Sequence, residues 1–483
     1  MLQPGLLSVD LSWSEGLGLG IVLAAGFIGR GVEPRLRDAL RRRLEARRRV
    51  LSLKRREEAA AETSTLEVYV DESGVEKVLV NLARDPIRGP RVYASSLRVS
   101  DFRCFDEISV SLRHPGDTSD LTHQNVNLIL GDNGSGKSTL LKAIAIAALG
   151  PILDSSGFVP FHLIRSGCKG SLIRGTFLVD EPRSAPEELV GEVEVVRYGD
   201  YEELRAGHDR GAWRALSDDS DPGFLVVGYG VNRRVAEDEA EHAFLERSRR
   251  RRRYQRVASL FDEGAVLTPL DPWLPTLDYR RRGEVEELLA ALLPEEARLK
   301  SGKAGEAVFE WRGQELPYLA LSDGYRSFIG WVGDLLVQID AASQGRLPLN
   351  EVGGIVLVDE VDLLLHPSWQ REVVPNIART FPELQFVFTT HSPIVAGTLE
   401  SDNILIARTN EEGSSRLDRI DASIHGLNAE QILLSSYFEL ESTRAPGVQS
   451  ELGKLAEQAM AGDDEAALTY LRALSGKSTH LDS

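Results

Sequence analysis

The stretch GDNGSGKST, residues 131–139, decides the fold of this 483-residue chain. It satisfies the pattern GxxxxGK[ST] and lies between two apolar segments, residues 126–130 and residues 137–149. The first segment predicts a buried strand, and the second predicts a helix. A glycine-rich loop in this position can wrap closely around phosphate, and the helix N-terminus adds positive potential. The stretch therefore predicts a phosphate-binding loop in an α/β domain.

The chemistry of phosphate and its metal ion assigns roles within this loop. Lys137 is suited to the β- and γ-phosphates of a nucleotide, and the Ser138 hydroxyl is suited to Mg²⁺. The loop residues expected to bind the nucleotide are Gly131, Asp132, Asn133, Gly134, Ser135, Gly136, Lys137, Ser138 and Thr139.

Two later strands are expected to deliver polar residues to the same sheet edge. The run IVLVDE, residues 355–360, ends in two carboxylates, of which Asp359 suits the metal and Glu360 suits a hydrolytic water. The run FVFTTHS, residues 386–392, places His391 where it could sense the γ-phosphate. Alone, such residues are more often an ordinary strand terminus or a loop histidine. Both assignments therefore depend on the phosphate-binding loop.

Four motifs in this order resemble those of the ABC ATPases of the RecF/SMC-like and overcoming-lysogenization-defect (OLD)-like branch. They are GDNGSGKST at 131–139, LSDGYRS at 321–327, IVLVDE at 355–360 and TTHS at 389–392. The resemblance covers about residues 92–408, and residues 96–112 resemble the first strands of that branch. It implies an ATPase with ATP and Mg²⁺ as cofactors. The catalytic residues that it implies are Lys137, Glu360 and His391, and the metal ligands are Ser138 and Asp359.

The segment LSDGYRS corresponds to the signature motif of that branch. The resemblance implies that Ser322 and Gly324 contact the γ-phosphate of ATP bound to the opposite subunit. A helix start that offers a hydroxyl and N–H groups to an anion agrees with this role, although in isolation it also fits a simple helix cap. The resemblance thus implies a homodimer or higher oligomer whose ATP sites are completed by a second copy.

The chain departs from the branch at one position. The branch normally carries a glutamine loop between the phosphate-binding loop and the signature, yet no glutamine occurs from Thr139 to Tyr254. Gln255 lies in a basic stretch and Gln314 lies close to the signature, so neither fits that role. The residue that links the metal and the attacking water to the rest of the protein is left open.

Other segments resemble a narrower group of ATPases. Residues 358–367, VDEVDLLLHP, are similar to the pattern of stand-alone ATPases, and residues 226–234 and 258–261 resemble ATPases of Septu-type anti-phage systems. This resemblance implies an ATP-driven switch that controls a separate effector protein, such as a nuclease, in phage defence or DNA repair. Two alternatives stay open: a nucleotide-dependent scaffold with weak hydrolysis, and a transporter-type ATPase subunit.

Charge and composition limit the partners and the compartment. The net charge of −18 argues against a basic coat, so any nucleic-acid contact requires a local patch. The run Arg247–Arg256 contains seven arginines and could bind DNA or RNA phosphates, or could pair with the acidic residues 237–241 or an acidic partner. Two cysteines are too few for a disulfide framework, which favours a cytoplasmic protein. The apolar run at 18–29 is too short to span a bilayer, so no integral membrane segment is expected. It predicts a buried or surface-lying helix, and association with a membrane surface is the alternative.

The predicted fold is α/β: a P-loop ABC-type ATPase head with an antiparallel β-subdomain and a helical insertion, plus an N-terminal helical module and a helical C-terminal tail. Strand and helix patterns set the boundaries. The expected parts are an N-terminal helical module at 1–65, a hairpin connector at 66–91, the ATPase domain at 92–408 with a helical and basic insertion at about 235–320, and the tail at 409–483.

Overall fold

The chain divides into two compact units, residues 1–85 and 86–483. A computed structural model describes residues 65–70, 76–81, 91–117, 121–154, 158–180, 186–207, 224–236, 252–294, 297–301, 307–343, 345, 347–420, 422–438, 440 and 442–474. In the first unit, β1 (Thr65–Val70) pairs antiparallel with β2 (Glu76–Asn81). Of the predicted N-terminal module, all but Thr65 lies outside the described residues.

The described residues of the second unit form one large sheet and one small sheet. In chain order, its strands are β3 (Arg91–Phe102), β4 (Phe105–Ser111), β5 (Val126–Gly131), β6 (Gly170–Asp180), β7 (Glu187–Tyr198), β8 (Tyr201–Gly207), β9 (Val226–Tyr229), β10 (Ala297–Ser301), β11 (Ala307–Trp311), β12 (Gln314–Pro317), β13 (Gly354–Val358), β14 (Leu384–Thr389), β15 (Ile404–Thr409) and β16 (Ser415–Asp418).

The helices follow the same numbering by chain order. They are α1 (Lys137–Asp154), α2 (Arg252–Gln255), α3 (Tyr279–Leu292), α4 (Asp323–Ser343), α5 (Pro367–Gln370), α6 (Val373–Thr380), α7 (Pro393–Ala396), α8 (Ala429–Leu433), α9 (Pro446–Met460) and α10 (Asp464–Leu474). Among the described residues, none of these helices is long and apolar enough to cross a membrane.

The large sheet runs in the order β8-β7-β6-β3-β4-β16-β15-β5-β14-β13-β9. Its strands β15, β5, β14, β13 and β9 pair parallel to one another, whereas β8, β7, β6, β3 and β4 pair antiparallel. The carboxyl ends of the parallel strands meet at one edge of the sheet, which is where ligands bind in open α/β sheets. The predicted α/β class and the antiparallel part are therefore confirmed.

The parallel strands are apolar on both faces because both faces are covered. In β13, Ile355 and Leu357 point into one core together with the residues of α1, whereas Val356 and Val358 point into a second core with α4. This alternation follows the two-residue period of a strand. Helix α1 is apolar on most sides because it lies between β5 and the antiparallel strands β6, β7 and β8. The two cores fix the position of the loop between β5 and α1.

Three details differ from the expectations. The predicted antiparallel subdomain does not include the run FLVVGYG, residues 224–230, because β9 pairs parallel with β13. All four residues of β9 are buried, which is typical of a parallel strand that is covered on both faces. The insertion is only partly helical, since β10, β11 and β12 form a three-stranded antiparallel sheet within it. The large sheet also extends past residue 408, because β16 pairs with β15 and β4.

A buried glutamine joins β14 to a bulge in β3. Gln385 is fully buried, its Oε1 accepts from the Ala94 N–H at 2.7 Å, and its Nε2 donates to the carbonyls of Ala94 and Arg113 at 2.7 Å each. The pairing of β3 with β6 shifts register between Ala94 and Ser96, so the backbone of Ala94 depends on this side chain.

We expect Gln385→Leu to lower the free energy of unfolding by about 2–5 kcal/mol, because it leaves buried backbone groups without partners. Denaturant-induced unfolding followed by circular dichroism measures the change. Gln449→Leu, at an exposed position of α9, is the control and is expected to change stability by less than about 0.5 kcal/mol. Equal stability of the Gln385→Leu variant and the wild type would contradict this role.

Candidate nucleotide site

The candidate site lies at the carboxyl edge of the parallel strands. Strand β5 ends at Gly131 and α1 begins at Lys137, so residues 132–136 form the loop between them. Strand β14 lies between β5 and β13, and therefore the ends of all three strands are neighbours. The fold thus brings the predicted phosphate-binding loop, the two acids after β13 and the histidine after β14 to the same edge.

Two loop glycines occupy positions that no other residue fits. Gly131 has φ +148°, and a Cβ there would lie 2.2 Å from the carbonyl oxygen of Ala407. Gly136 has φ +100°, and a Cβ there would lie 2.7 Å from the Cys104 Sγ and 2.7 Å from the Phe105 ring. Real Cβ atoms do not approach this closely, and left-handed backbone is costly for residues other than glycine. The sequence at these positions is therefore dictated by backbone geometry.

The Gly136→Ala variant is expected to bind ATP at least about tenfold more weakly, because the added methyl group displaces the start of α1 and strains its backbone. The matched variant Gly134→Ala shares the left-handed backbone, with φ +81°, but a Cβ there meets nothing within 4 Å. We expect it to lose less affinity than Gly136→Ala. Titration with a fluorescent ATP analogue measures both, and equal losses would show that the contact with Cys104 and Phe105 is unimportant.

Lys137 and Ser135 show how well the loop fits a bound phosphate. The Lys137 Nζ donates to the carbonyls of Gly131 and Asp132 at 2.9 Å each, so the ammonium lies inside the loop. Burial lowers the pKa of Lys137, and the charges of Asp359 and Glu360 oppose that shift. Ser135 is 2% exposed, and within the described part of the chain its Oγ makes no hydrogen bond. A buried ammonium and an unpaired buried hydroxyl fit an anion held in this loop.

The two acids that follow β13 have different surroundings. Asp359 is 5% exposed and its Oδ1 accepts a hydrogen bond from the Thr389 Oγ1 at 2.5 Å. Glu360 is half-buried and has left-handed backbone, with φ +48°. Its N–H donates to the same Thr389 Oγ1 at 2.7 Å. The strand end therefore fixes Asp359 inside the protein and turns Glu360 toward the cavity.

A cavity of about 310 Å³ lies against these residues. Of the residues expected from the sequence, its walls contain Asn133, Gly134, Gly136, Lys137, Ser138, Thr139, Glu360 and His391. The residues of the expected set that do not line it are Gly131, Asp132, Ser135, Asp359, Ser322 and Gly324. The cavity places the ammonium of Lys137, the carboxylate of Glu360 and the imidazole of His391 around one space.

Mg²⁺ prefers oxygen ligands, and the residues near the loop supply them. Ser138 lines the cavity. Asp359 directly follows β13, which is separated from β5 in the sheet only by β14. These two residues would hold the ion. The donor set is therefore compatible with the metal that was expected.

Two residues of the cavity wall were missed by the sequence reasoning. Arg103 and Cys104 line the cavity and form the tip of the hairpin between β3 and β4. Arg103 is exposed and has φ +52°, as expected in a tight turn. The sequence offered one signal, an arginine within residues 96–112, which resemble the first strands of the branch, but only the folded chain places this residue against the phosphate-binding loop.

The signature residues lie at the start of α4 and outside the cavity wall. Ser322 is exposed, and a Cβ on Gly324 would lie 2.4 Å from the carbonyl oxygen of Leu364. Gly324 therefore packs on the segment that follows the two acids. Leu364 itself is 61% exposed and has φ +62°, which is unusual for a leucine. Within a single chain, the signature does not contribute to the cavity.

The sequence predicts that the arginine-rich run binds nucleic-acid phosphates or pairs with acidic residues, but two of its arginines are buried. Arg253 is 2% exposed, with its guanidinium 5.4 Å from the centre of the Phe224 ring. Arg256 is 8% exposed, and its Nε donates to the Gln338 Oε1 at 3.1 Å. These side chains pack inside the protein because α2 lies against α1 and the turn after α2 lies against β9. Residues 247–251 lie outside the described residues.

Two protein families and several known proteins match parts of this chain. Residues 206–396 match the family described as "AAA domain, putative AbiEii toxin, Type IV TA system", and residues 96–194 match a family described as "AAA domain". The Septu protein PtuA of Bacillus mycoides (strain KBAB4) is 26% identical over 65% of this chain and 41% of its own length. The Retron Ec83 probable ATPase of Escherichia coli is 33% identical over 26% of this chain and 24% of its own length.

This chain thus spans about two fifths or less of the length of these curated relatives. Among solved structures, the SMC head domain from Thermotoga maritima is 16% identical, with a TM-score of 0.40, over 68% of this chain and 99% of that chain. The segment at 96–194 contains the phosphate-binding loop, and the segment at 206–396 contains the two acids and His391. Two segments of the chain thus match AAA-domain families, and the chain is similar to the Septu protein PtuA and to probable retron ATPases over these parts.

Proposed function

We propose that this protein is an ATP-driven switch that closes as a homodimer around ATP and controls a separate effector protein in phage defence. The observation that carries this proposal is the division of the expected site residues. Lys137, Glu360 and His391 surround one cavity, whereas Ser322 and Gly324 lie elsewhere on the same chain. A second copy that supplies its signature segment would complete the site.

The hydrolytic step follows from the groups around the cavity. The loop N–H groups and Lys137 bind the β- and γ-phosphates, and Ser138 with Asp359 would hold Mg²⁺, which neutralises the charge that develops on the phosphates. Glu360 orients a water molecule and accepts its proton as the water oxygen attacks the γ-phosphorus. The bond to the β–γ bridging oxygen breaks, which releases ADP and inorganic phosphate. His391 donates a hydrogen bond to the γ-phosphate.

Switching follows from the same arrangement. A γ-phosphate that contacts Lys137 of one copy and Ser322 of the other holds the two copies together. Hydrolysis removes this shared group, so the dimer opens and the surface presented to an effector changes. The relatives named Septu PtuA favour phage defence over DNA repair as the setting. The proposal includes a separate effector, such as a nuclease, and nucleic acid as the trigger of ATP turnover.

Light scattering of the purified protein tests the proposed dimer. We expect the mass of the Glu360→Gln variant to double when ATP and Mg²⁺ are added and to return to the starting value with ADP. Adding double-stranded DNA to the wild type while ATP turnover is followed tests the trigger. A mass that is the same with ATP, ADP and no nucleotide would overturn the closing dimer and would favour a site that works within one chain.

A further inference from the structure

We propose that Arg233 is the positioning residue that fixes the backbone of the hydrolytic Glu360 and joins it to the helix that begins with the signature segment. This inference deepens the proposed function and rests on the ATP hydrolysis proposed above. It concerns a side chain that lies behind the cavity wall.

The guanidinium of Arg233 contacts the backbone of both acids. Its Nη2 donates to the carbonyl oxygen of Asp359 and, at 2.7 Å, to the carbonyl oxygen of Glu360. Its Nε donates to the carbonyl oxygen of Gly230 at 3.0 Å, which folds the segment after β9 onto itself. A single planar group with several fixed donors can bridge carbonyls in this way, and a flexible ammonium cannot reach all of them.

These contacts hold a backbone conformation that is unfavourable by itself. Glu360 has φ +48°, which costs a residue with a Cβ of the order of 1 kcal/mol or more. Its N–H is held by Thr389 and its carbonyl oxygen by Arg233, so it is fixed from both sides. The conformation decides where the Glu360 carboxylate points relative to the phosphate-binding loop. Arg233 therefore acts on the hydrolytic group through its backbone.

The same guanidinium also contacts the signature helix α4. It lies 5.9 Å from the centre of the Trp331 ring, and Trp331 is fully buried in α4. A second link runs parallel to it, because the hydroxyl of Tyr229, at the end of β9, donates to the Asp334 Oδ2 of α4 at 2.9 Å. The segment 229–233 thus ties the carbonyls of the acids to α4. A movement of the signature can reach Glu360 through this segment.

Burial and charge suit Arg233 to this position. The side chain is 7% exposed, and burial lowers its pKa to about 10, with the nearby charges of Asp359 and Glu360 opposing the shift. The guanidinium therefore stays charged at neutral pH. The sequence has no glutamine between Thr139 and Tyr254. Because the chain lacks a glutamine loop, the link between the acids and the signature was open, and Arg233 provides it.

Steady-state ATP turnover and ATP-analogue binding by Arg233→Met test the inference. We expect kcat to fall about 30-fold, because the Glu360 carboxylate is misplaced, while the affinity for a non-hydrolysable ATP analogue changes less than about threefold. Arg233→Lys is expected to recover part of the lost kcat, since an ammonium can reach one of the carbonyls. If Arg233→Met does not fold, Arg233→Lys replaces it in the test. A lower kcat with unchanged affinity for the analogue in Arg233→Lys then supports the inference, and an unchanged kcat overturns it.

Arg253→Met is the matched control, because Arg253 is as deeply buried and lies over the Phe224 ring outside the catalytic segment. We expect it to lower the melting temperature about as much as Arg233→Met but to keep kcat within about threefold of the wild type. An unchanged kcat in Arg233→Met, or an equal loss of kcat in Arg253→Met, overturns the positioning role. A wild-type protein without turnover would instead refute the proposed hydrolysis.

Discussion

Replacing Glu360 by glutamine is expected to lower ATP turnover about 1,000-fold while ATP affinity stays within about threefold of the wild type. The substitution keeps the size of the side chain and one acceptor oxygen, but an amide cannot accept the proton of the attacking water. The backbone contacts to Thr389 and Arg233 do not involve the carboxylate and should persist. Release of inorganic phosphate measures turnover, and titration with a fluorescent ATP analogue measures binding.

Glu372→Gln is the control for this change. Glu372 is exposed and precedes α6 on the same segment of chain, so it carries the same chemical change away from the cavity. We expect its turnover to match that of the wild type. A Glu360→Gln variant that retains more than about a tenth of the wild-type rate would refute Glu360 as the general base.

Lys137→Ala is expected to weaken ATP binding about 100-fold. The Lys137 ammonium lies inside the loop at 2.9 Å from two backbone carbonyls, where it can turn to the β- and γ-phosphates. A charge-assisted hydrogen bond to phosphate contributes about 1.5–3 kcal/mol, and each 1.4 kcal/mol corresponds to about a tenfold change in affinity. Calorimetric titration with ATP measures the loss directly.

Lys142→Ala provides the comparison on the same helix. Lys142 is half-buried, its pKa is lowered chiefly by burial and then by the charge of Arg103, and it does not line the cavity. We expect its ATP affinity to stay within about threefold of the wild type. Equal losses in the two variants would mean that general positive charge on α1, and not Lys137, binds the nucleotide.

The sequence was sufficient for those parts of the site that are local in the chain. The loop at 131–139 carries its own evidence, because strand, glycines, lysine and helix follow one another without interruption. The same holds for the acids after β13 and for His391 after β14, since each follows an apolar run of strand length. Parallel strands place their carboxyl ends at one edge, so proximity could be inferred before the structure was known.

The sequence was not sufficient for contacts that depend on which strands are neighbours. Nothing near Arg233 in the chain indicates that β9 lies beside β13, yet that pairing carries the arginine to the carbonyls of both acids. Arg103 reaches the cavity because β3 and β4 form a hairpin whose tip meets the loop before α1. Seven arginines in ten residues predict a run that binds phosphates or pairs with acidic groups. The burial of Arg253 against Phe224 depends on the tertiary fold, which the run itself does not indicate.

Mixing two inactive variants tests the shared ATP site most directly. Lys137→Ala lacks nucleotide binding but keeps its signature, whereas Ser322→Arg keeps its phosphate-binding loop and loses its signature. Random pairing at equal concentrations makes half of the dimers mixed, each with one intact site of two, so the account predicts about a quarter of the wild-type turnover. Turnover that stays at the sum of the two separate variants, or full activity of Ser322→Arg alone, would contradict a site shared between two copies.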